Sequence, residues 1–203
     1  MMHVGFSLIS AAPRLLAGCL GYLQHEARPV LESQDGSLGV SLLEGSGVVI
    51  FESFWATHAA LWLSRETDAE LRGALARLLQ RPVAAKDYQV AVFEREAPPG
   101  QAVRLTRVEV KPAGFPDVIH VYGDTAVPWL ADTPGFCETL LFADPGGGEL
   151  ISQTGWRDPA ARAASPSVAE MIRSDVLADD DCQIRAVEDY HLVFCSARKP
   201  GPD

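Results

Sequence analysis

Asparagine is missing from this 203-residue chain, and lysine occurs only three times, at Lys86, Lys111 and Lys199. A site that needs a neutral side-chain amide therefore has only glutamine to draw on. With no basic run and a formal charge of -10 at pH 7, neither a nucleic-acid backbone nor an anionic membrane is an expected partner. The cysteines Cys19, Cys137, Cys182 and Cys195 form no CxxC pair and share no ligand-like spacing with histidine. That sets aside a zinc site and fits reduced thiols in a cytoplasmic protein. No apolar run reaches the roughly 18 residues that would cross a bilayer. Leu16-Ala17-Gly18-Cys19 has the form of a lipoprotein cleavage box. The residues before it lack a positive start, however, and Pro13-Arg14 stands directly in front, which reads against cleavage. A serine-nucleophile motif and a dinucleotide fingerprint are also lacking. Gly146-Gly147-Gly148 lies in a hairpin, the wrong context for a phosphate loop. Asp179-Asp180-Asp181 reads as a solvated loop, not a metal site.

What is present is one unit written twice. Arg28-Pro29-Val30-Leu31 matches Val127-Pro128-Trp129-Leu130, and Gly36 matches Gly135, at an offset of 99. Trp55 matches Trp156 at 101, and Lys86-Asp87-Tyr88 matches Glu188-Asp189-Tyr190 at 102. A period this long is unsuited to a solenoid and suits a doubled domain. Each copy alone would bury a modest share of its surface, so two fused copies gain from a shared face.

The pattern within each copy is βαββαβ. Val4–Ile9 reads as a strand, and Leu16, Cys19, Leu20 and Leu23 form one helical face. Leu38–Leu43 and Val48–Phe54 flank the Gly45-Ser46-Gly47 turn as a hairpin. A helix carrying Leu71, Leu75, Leu78 and Leu79 follows, and Tyr88–Phe93 closes the copy. The second copy repeats the order: Val103–Val110, a helix with Ile119, Tyr122 and Ala126, then Glu138–Phe142 and Glu149–Thr154. A helix with Val168, Met171 and Ile172 and a last strand Tyr190–Cys195 complete it. Residues 1–95 and 103–196 are the expected units, 96–102 the linker around Pro98-Pro99-Gly100, and the chain from Ala197 on a frayed tail. Thr57 and Asp158 are expected N-caps directly after the two tryptophans, with Pro159 at the first helical position. The fold class is therefore α+β: two tandem ferredoxin-like units packed sheet to sheet as a pseudo-dimeric α/β barrel.

The carriers of a family resemblance are Pro128 with Pro134-Gly135-Phe136, Thr154-Gly155-Trp156-Arg157-Asp158-Pro159 and Glu188-Asp189-Tyr190. Phe54-Trp55-Ala56-Thr57-His58 and Lys86-Asp87-Tyr88 echo the latter two in the first copy. Across nearly the whole length, in tandem, the chain resembles the dimeric α/β-barrel superfamily, and most closely the antibiotic-biosynthesis-monooxygenase-like domains. The resemblance implies a small-molecule enzyme acting on an aromatic or polyketide-like metabolite by oxygenation without a bound cofactor. Ring closure of a polyketide and non-catalytic ligand binding or scaffolding are the alternatives. It also implies a monomer with an internal pseudo-dimer, or a homodimer. The oxygenases use an Asn and a Trp; Trp55 and Trp156 match the Trp, and the Asn has no counterpart. On a rough alignment Val4 and Thr106 take the place of that Asn in haem-degrading members. The region around Leu71-Arg72 lacks their haem-ligating histidine, which argues against haem degradation.

Trp55 and Trp156 have two readings, as packing that locks a strand end to its helix and as a stacking surface for substrate. Trp62 follows Trp55 by one heptad, and Trp55, His58 and Trp62 are expected to line an aromatic pocket in the first copy. A neutral His58 at a helix start beside such a pocket suits a general base toward a phenolic or enolic proton. Ordinary helix-to-sheet packing is the competing account. Tyr22, His120 and Tyr122 on the first helix of each copy are further candidate substrate contacts. His191 is expected at a buried interface as a hydrogen-bonded structural group. Gln153, the nearest substitute for a pocket amide, falls on the strand face opposite Trp156.

Overall fold

The computed structural model describes residues 1–144, 146–165 and 182–201. The expected helix with Val168, Met171 and Ile172 and the run Asp179-Asp180-Asp181 lie outside the described residues. Among the described residues eight strands are seen: β1 His3–Ser10, β2 Ser37–Glu44, β3 Val48–Trp55, β4 Ala84–Arg95, β5 Ala102–Val110, β6 Phe136–Asp144, β7 Glu149–Trp156 and β8 Cys182–Cys195. In the first unit β1 pairs antiparallel with β3 and β4, and β3 with β2; in the second β5 pairs antiparallel with β7 and β8, and β7 with β6. The class is α+β, as the pattern implied. By contact the chain divides into two units, Met1–Gln89 with Leu192–Asp203, and Val90–His191.

In the first unit, Pro13 opens α1 (Pro13–Tyr22), where its missing N–H costs nothing. A single π turn, Leu23–Ala27, leads into α2 (Arg28–Glu32). Thr57 caps α3 (His58–Leu63) by accepting from the Ala60 N–H at 3.1 Å, and α4 (Arg65–Leu79) follows. Strand alternation sorts the apolar residues. Ile9, Val40, Leu42, Val49, Phe51 and Trp55 pack with Cys19, Leu23, Leu31, Leu61, Leu75 and Leu79 of the helices. Val4, Phe6, Ile50, Glu52 and Phe54 alternate with that set along β1 and β3 and are also buried.

In the second unit, α5 (Phe115–Val121), a π turn Tyr122–Ala126 and α6 (Val127–Ala131) repeat that sequence of elements. Asp158 caps α7 (Pro159–Ala164) by accepting from the Ala161 N–H at 2.8 Å. The π turns stand 99 residues apart, as do Gly36 and Gly135. Both glycines hold positive φ, 78° and 85°, and a Cβ on either would lie 2.6 Å from the Cβ of Ala60 or Ala161. Only glycine meets both conditions. Their carbonyls accept from the Ala56 and Arg157 N–H groups at 2.8 Å, tying the connection before the second strand of each unit to the residue after its tryptophan.

Three expectations need correction. The chain beyond Cys195 does not fray at once: Ser196 N–H donates to the Val40 carbonyl at 2.8 Å, Arg198 N–H to that of Leu38 at 3.0 Å, and Ala197 is buried. His191 is exposed, whereas its neighbour Tyr190 is buried. Val4 and Thr106 do not share a position. His3 pairs with Trp55 and Ala102 with Trp156, so Val103 corresponds to Val4 and Thr106 to Ser7. Among the described residues no helix is long and apolar enough to cross a membrane.

Candidate functional site

A cavity of about 260 Å³ opens in the first unit between β1, β3, β4 and the α3–α4 helices. Alternation on β1 turns Gly5 and Ser7 toward it, and Ser53 comes from β3 beside them. Leu61 and Ser64 reach it from the end of α3, Arg65, Asp68 and Arg72 from α4, and Ala85, Lys86 and Asp87 from β4. The helical spacing of Asp68 and Arg72, four residues apart, brings both to the same wall. Ser7, Asp68 and Arg72 also line an inner space of about 10 Å³ bounded by Tyr22, Leu23, Phe51 and Leu71. That is too small for more than a single water.

The cavity is charged. Arg72 Nε donates to Asp68 Oδ2 at 2.8 Å, and Arg65 Nη2 to Asp87 Oδ2 at 2.7 Å. The Lys86 ammonium lies 5.0 Å from the centre of the Tyr88 ring. Arg65, Arg72 and Lys86 thus share the lining with Asp68 and Asp87, in a chain whose formal charge is -10. Burial raises the Asp68 pKa above the ordinary 3.8, which Arg72 opposes and Asp87 reinforces. Ser53 Oγ, on the cavity lining, accepts from the Trp55 indole Nε1 at 3.1 Å, and a hydroxyl that accepts still has its proton to donate.

The candidate residues read from the sequence fall in different places. Trp55 is fully buried in the helix-side core and touches the cavity through Ser53 alone. His58 is exposed and stacks edge-on against His3, ring centroids 5.3 Å apart. Partial burial, with His58 as second cause, lowers the His3 pKa. Trp62 is 58% exposed and carries the Arg65 guanidinium 4.3 Å from its ring. Neither His58 nor Trp62 lines the cavity. Tyr22 donates to the Leu71 carbonyl at 3.1 Å and bounds the inner space. In the second unit Trp156 is buried, its Nε1 donating to Thr154 Oγ1 at 3.2 Å. Tyr122 is buried, with its hydroxyl 2.6 Å from Thr139 Oγ1 and 2.7 Å from Ser152 Oγ. His120 is exposed and pairs with Asp124 at 3.2 Å. Sequence reasoning did not single out Gly5, Ser7, Ser53, Asp68 or Arg72. The available signal was the i, i+4 Asp68–Arg72 pair on the face that carries Leu71 and Leu75.

No protein-family profile matches the chain. It is 26% identical over 205 residues to an uncharacterised protein of Mycobacterium tuberculosis, Rv2558, covering 98% of this chain and 87% of that one. A second, Rv2557, is 29% identical over 156 residues, covering 75% and 70%. Among solved structures, a proposed monooxygenase from Lactobacillus acidophilus superposes with a TM-score of 0.69 at 14% identity, covering 97% of this chain and 94% of the other. An anthrone oxidase-like protein gives 0.64 at 15% identity, covering 96% and 92%. A ferredoxin-fold protein of Listeria monocytogenes related to antibiotic biosynthesis monooxygenases gives 0.54 at 11%, covering 95% of each. The fold is that of the antibiotic-biosynthesis-monooxygenase-like proteins, as the resemblance implied.

Proposed function

We propose that the first unit's cavity is the site of a small-molecule enzyme that oxygenates an aromatic or polyketide-like metabolite without a bound cofactor. The observation that carries this reading is a half-buried carboxylate, Asp68, held by Arg72 on the wall of a 260 Å³ cavity. That volume lies just under the roughly 300 Å³ at which ligand pockets usually begin, so it suits a compact molecule of a few fused rings. The chemistry asks for a base and a stabilised anion. Asp68, made more basic by burial, takes a proton from an activated ring carbon. The cations Arg65, Arg72 and Lys86 on the cavity wall then favour the enolate that forms. Dioxygen oxidises that enolate: a ring CH₂ and O₂ give a ring carbonyl and water. Ser53, its acceptor lone pair held by Trp55, donates to the substrate oxygen. His58 is displaced from the role of base in this reading because it does not line the cavity. The neighbour named as anthrone oxidase-like supports the class of substrate. We further read the recurrent caps, π turns and tryptophans as the product of tandem duplication of one βαββαβ unit.

Incubation with anthrone, with and without air, tests the reading. Anthraquinone forms only aerobically, Asp68→Asn lowers the rate by about a hundredfold or more, and His58→Ala leaves it unchanged. No product, or full rate in Asp68→Asn, overturns it.

A further inference from the structure

We propose that Gly5 holds the first unit's site open and that Arg104, laid across the described walls of the corresponding space, shuts that space in the second unit. The inference rests on the cavity being the ligand site. Strand register supplies the correspondence: Gly5 pairs with Asp87 and Ser53, and Arg104 with Asp189 and Thr154. Of the first cavity's walls, Asp87, Leu61 and Ser64 have Asp189, Arg162 and Ser165 as counterparts among the described residues. Arg104 reaches across all three. Its Nε donates to Asp189 Oδ1 at 3.2 Å, Nη2 to the Arg162 carbonyl at 3.3 Å and Nη1 to the Ser165 carbonyl at 3.4 Å. Its side chain is 13% exposed.

The serine pair shows how close the two arrangements are. Ser64 Oγ donates to the Leu61 carbonyl at 2.8 Å, and Ser165 Oγ to the Arg162 carbonyl at 2.7 Å. The same turn is therefore built in both units, with a strand arginine laid across it in one. A Cβ on Gly5 would meet Ser53 Oγ at 2.8 Å, then Leu61 at 3.6 Å and Asp87 at 3.9 Å. Any side chain there enters the cavity. The hydroxyls differ in step: both accept from a tryptophan, and Thr154 Oγ1 also donates back to the Arg104 carbonyl at 3.4 Å.

Access is tested with Ser53→Cys and Thr154→Cys proteins, methyl methanethiosulfonate and mass spectrometry of each cysteine peptide. The native Cys19 thiol is buried and pushed up to about 11, so it serves as an unreactive reference. The cysteine at 53 is labelled, and adding Gly5→Arg slows this at least tenfold. The cysteine at 154 resists, and adding Arg104→Gly makes it react. Equal labelling at 53 and 154, or a rate at 53 indifferent to Gly5→Arg, overturns the proposal. The gain at 154 remains decisive even where Gly5→Arg fails to fold. Labelling needs no substrate, so it fails or succeeds separately from anthrone turnover. Where turnover occurs, Gly5→Arg abolishes it and Arg104→Gly does not.

Discussion

The indole Nε1 of Trp55 donates to Ser53 Oγ, two residues back on the same strand, at 3.1 Å. Trp156 and Thr154 repeat the relationship at 3.2 Å. The tryptophan is thus a core residue that orients a hydroxyl, and in the first unit that hydroxyl belongs to the cavity. Trp55→Phe removes the donor and part of the buried ring. A loss of about 2 kcal/mol of stability in urea melts is expected, from packing and the unmade hydrogen bond together. A variant as stable as the parent contradicts the packing role.

Gly36→Ala and Gly135→Ala test the repeated connection. Positive φ alone costs a non-glycine residue roughly 1–2 kcal/mol, and the added methyl also meets Ala60 or Ala161 at 2.6 Å. Each variant is expected to melt well below the parent, and the double variant lower still. Restoring space with Ala60→Gly in the Gly36→Ala protein should recover part of the loss.

Tyr122 stands where the first unit has Leu23, each being the first residue of its π turn. Its hydroxyl is buried between Thr139 and Ser152, and burial raises its pKa. Tyr122→Phe leaves Ser152 without that partner and should cost about 1–2 kcal/mol, read by chemical denaturation, with turnover unaffected.

Asp68 predicts a pH dependence. Its folded pKa is raised above the ordinary 3.8, chiefly by burial, so the folded state prefers the protonated acid. The contribution to stability is fully present below the unfolded value and declines as pH rises through the folded one. Asp68→Asn removes that decline. The stability of the variant relative to the parent should therefore rise between pH 3.5 and pH 7, values chosen to bracket roughly that window. A constant or falling difference contradicts the shift.

Much of the fold was legible because its signals are local. Pro13, Thr57, Asp158 and the two tryptophans mark element ends by chemistry that acts over a few residues. The site was less legible. A heptad count puts Trp62 near Trp55, but Trp55 ends a strand and His58 starts the helix, so one helical period does not cover both. The Val4–Thr106 match carried too large an offset into the first strand. The hairpin that lengthens the second copy lies downstream of β5, where the offset is still 99. With 99 applied, Gly5 stands opposite Arg104, and the difference between the units becomes readable from sequence alone. Asp68–Arg72 was passed over because an i, i+4 ion pair is common on solvated helix faces. Only packing of α4 over Ser7 and Ser53 makes it a cavity wall.

The claim of a working cavity in the first unit is tested most directly by a crystal structure of the protein soaked with anthrone. Ligand density between Ser53 and Asp68 above Gly5, with Arg104 still across the corresponding space of the second unit, is the predicted result. Density over Thr154 and Asp189 instead, or saturating anthrone with the first cavity unchanged, would contradict it.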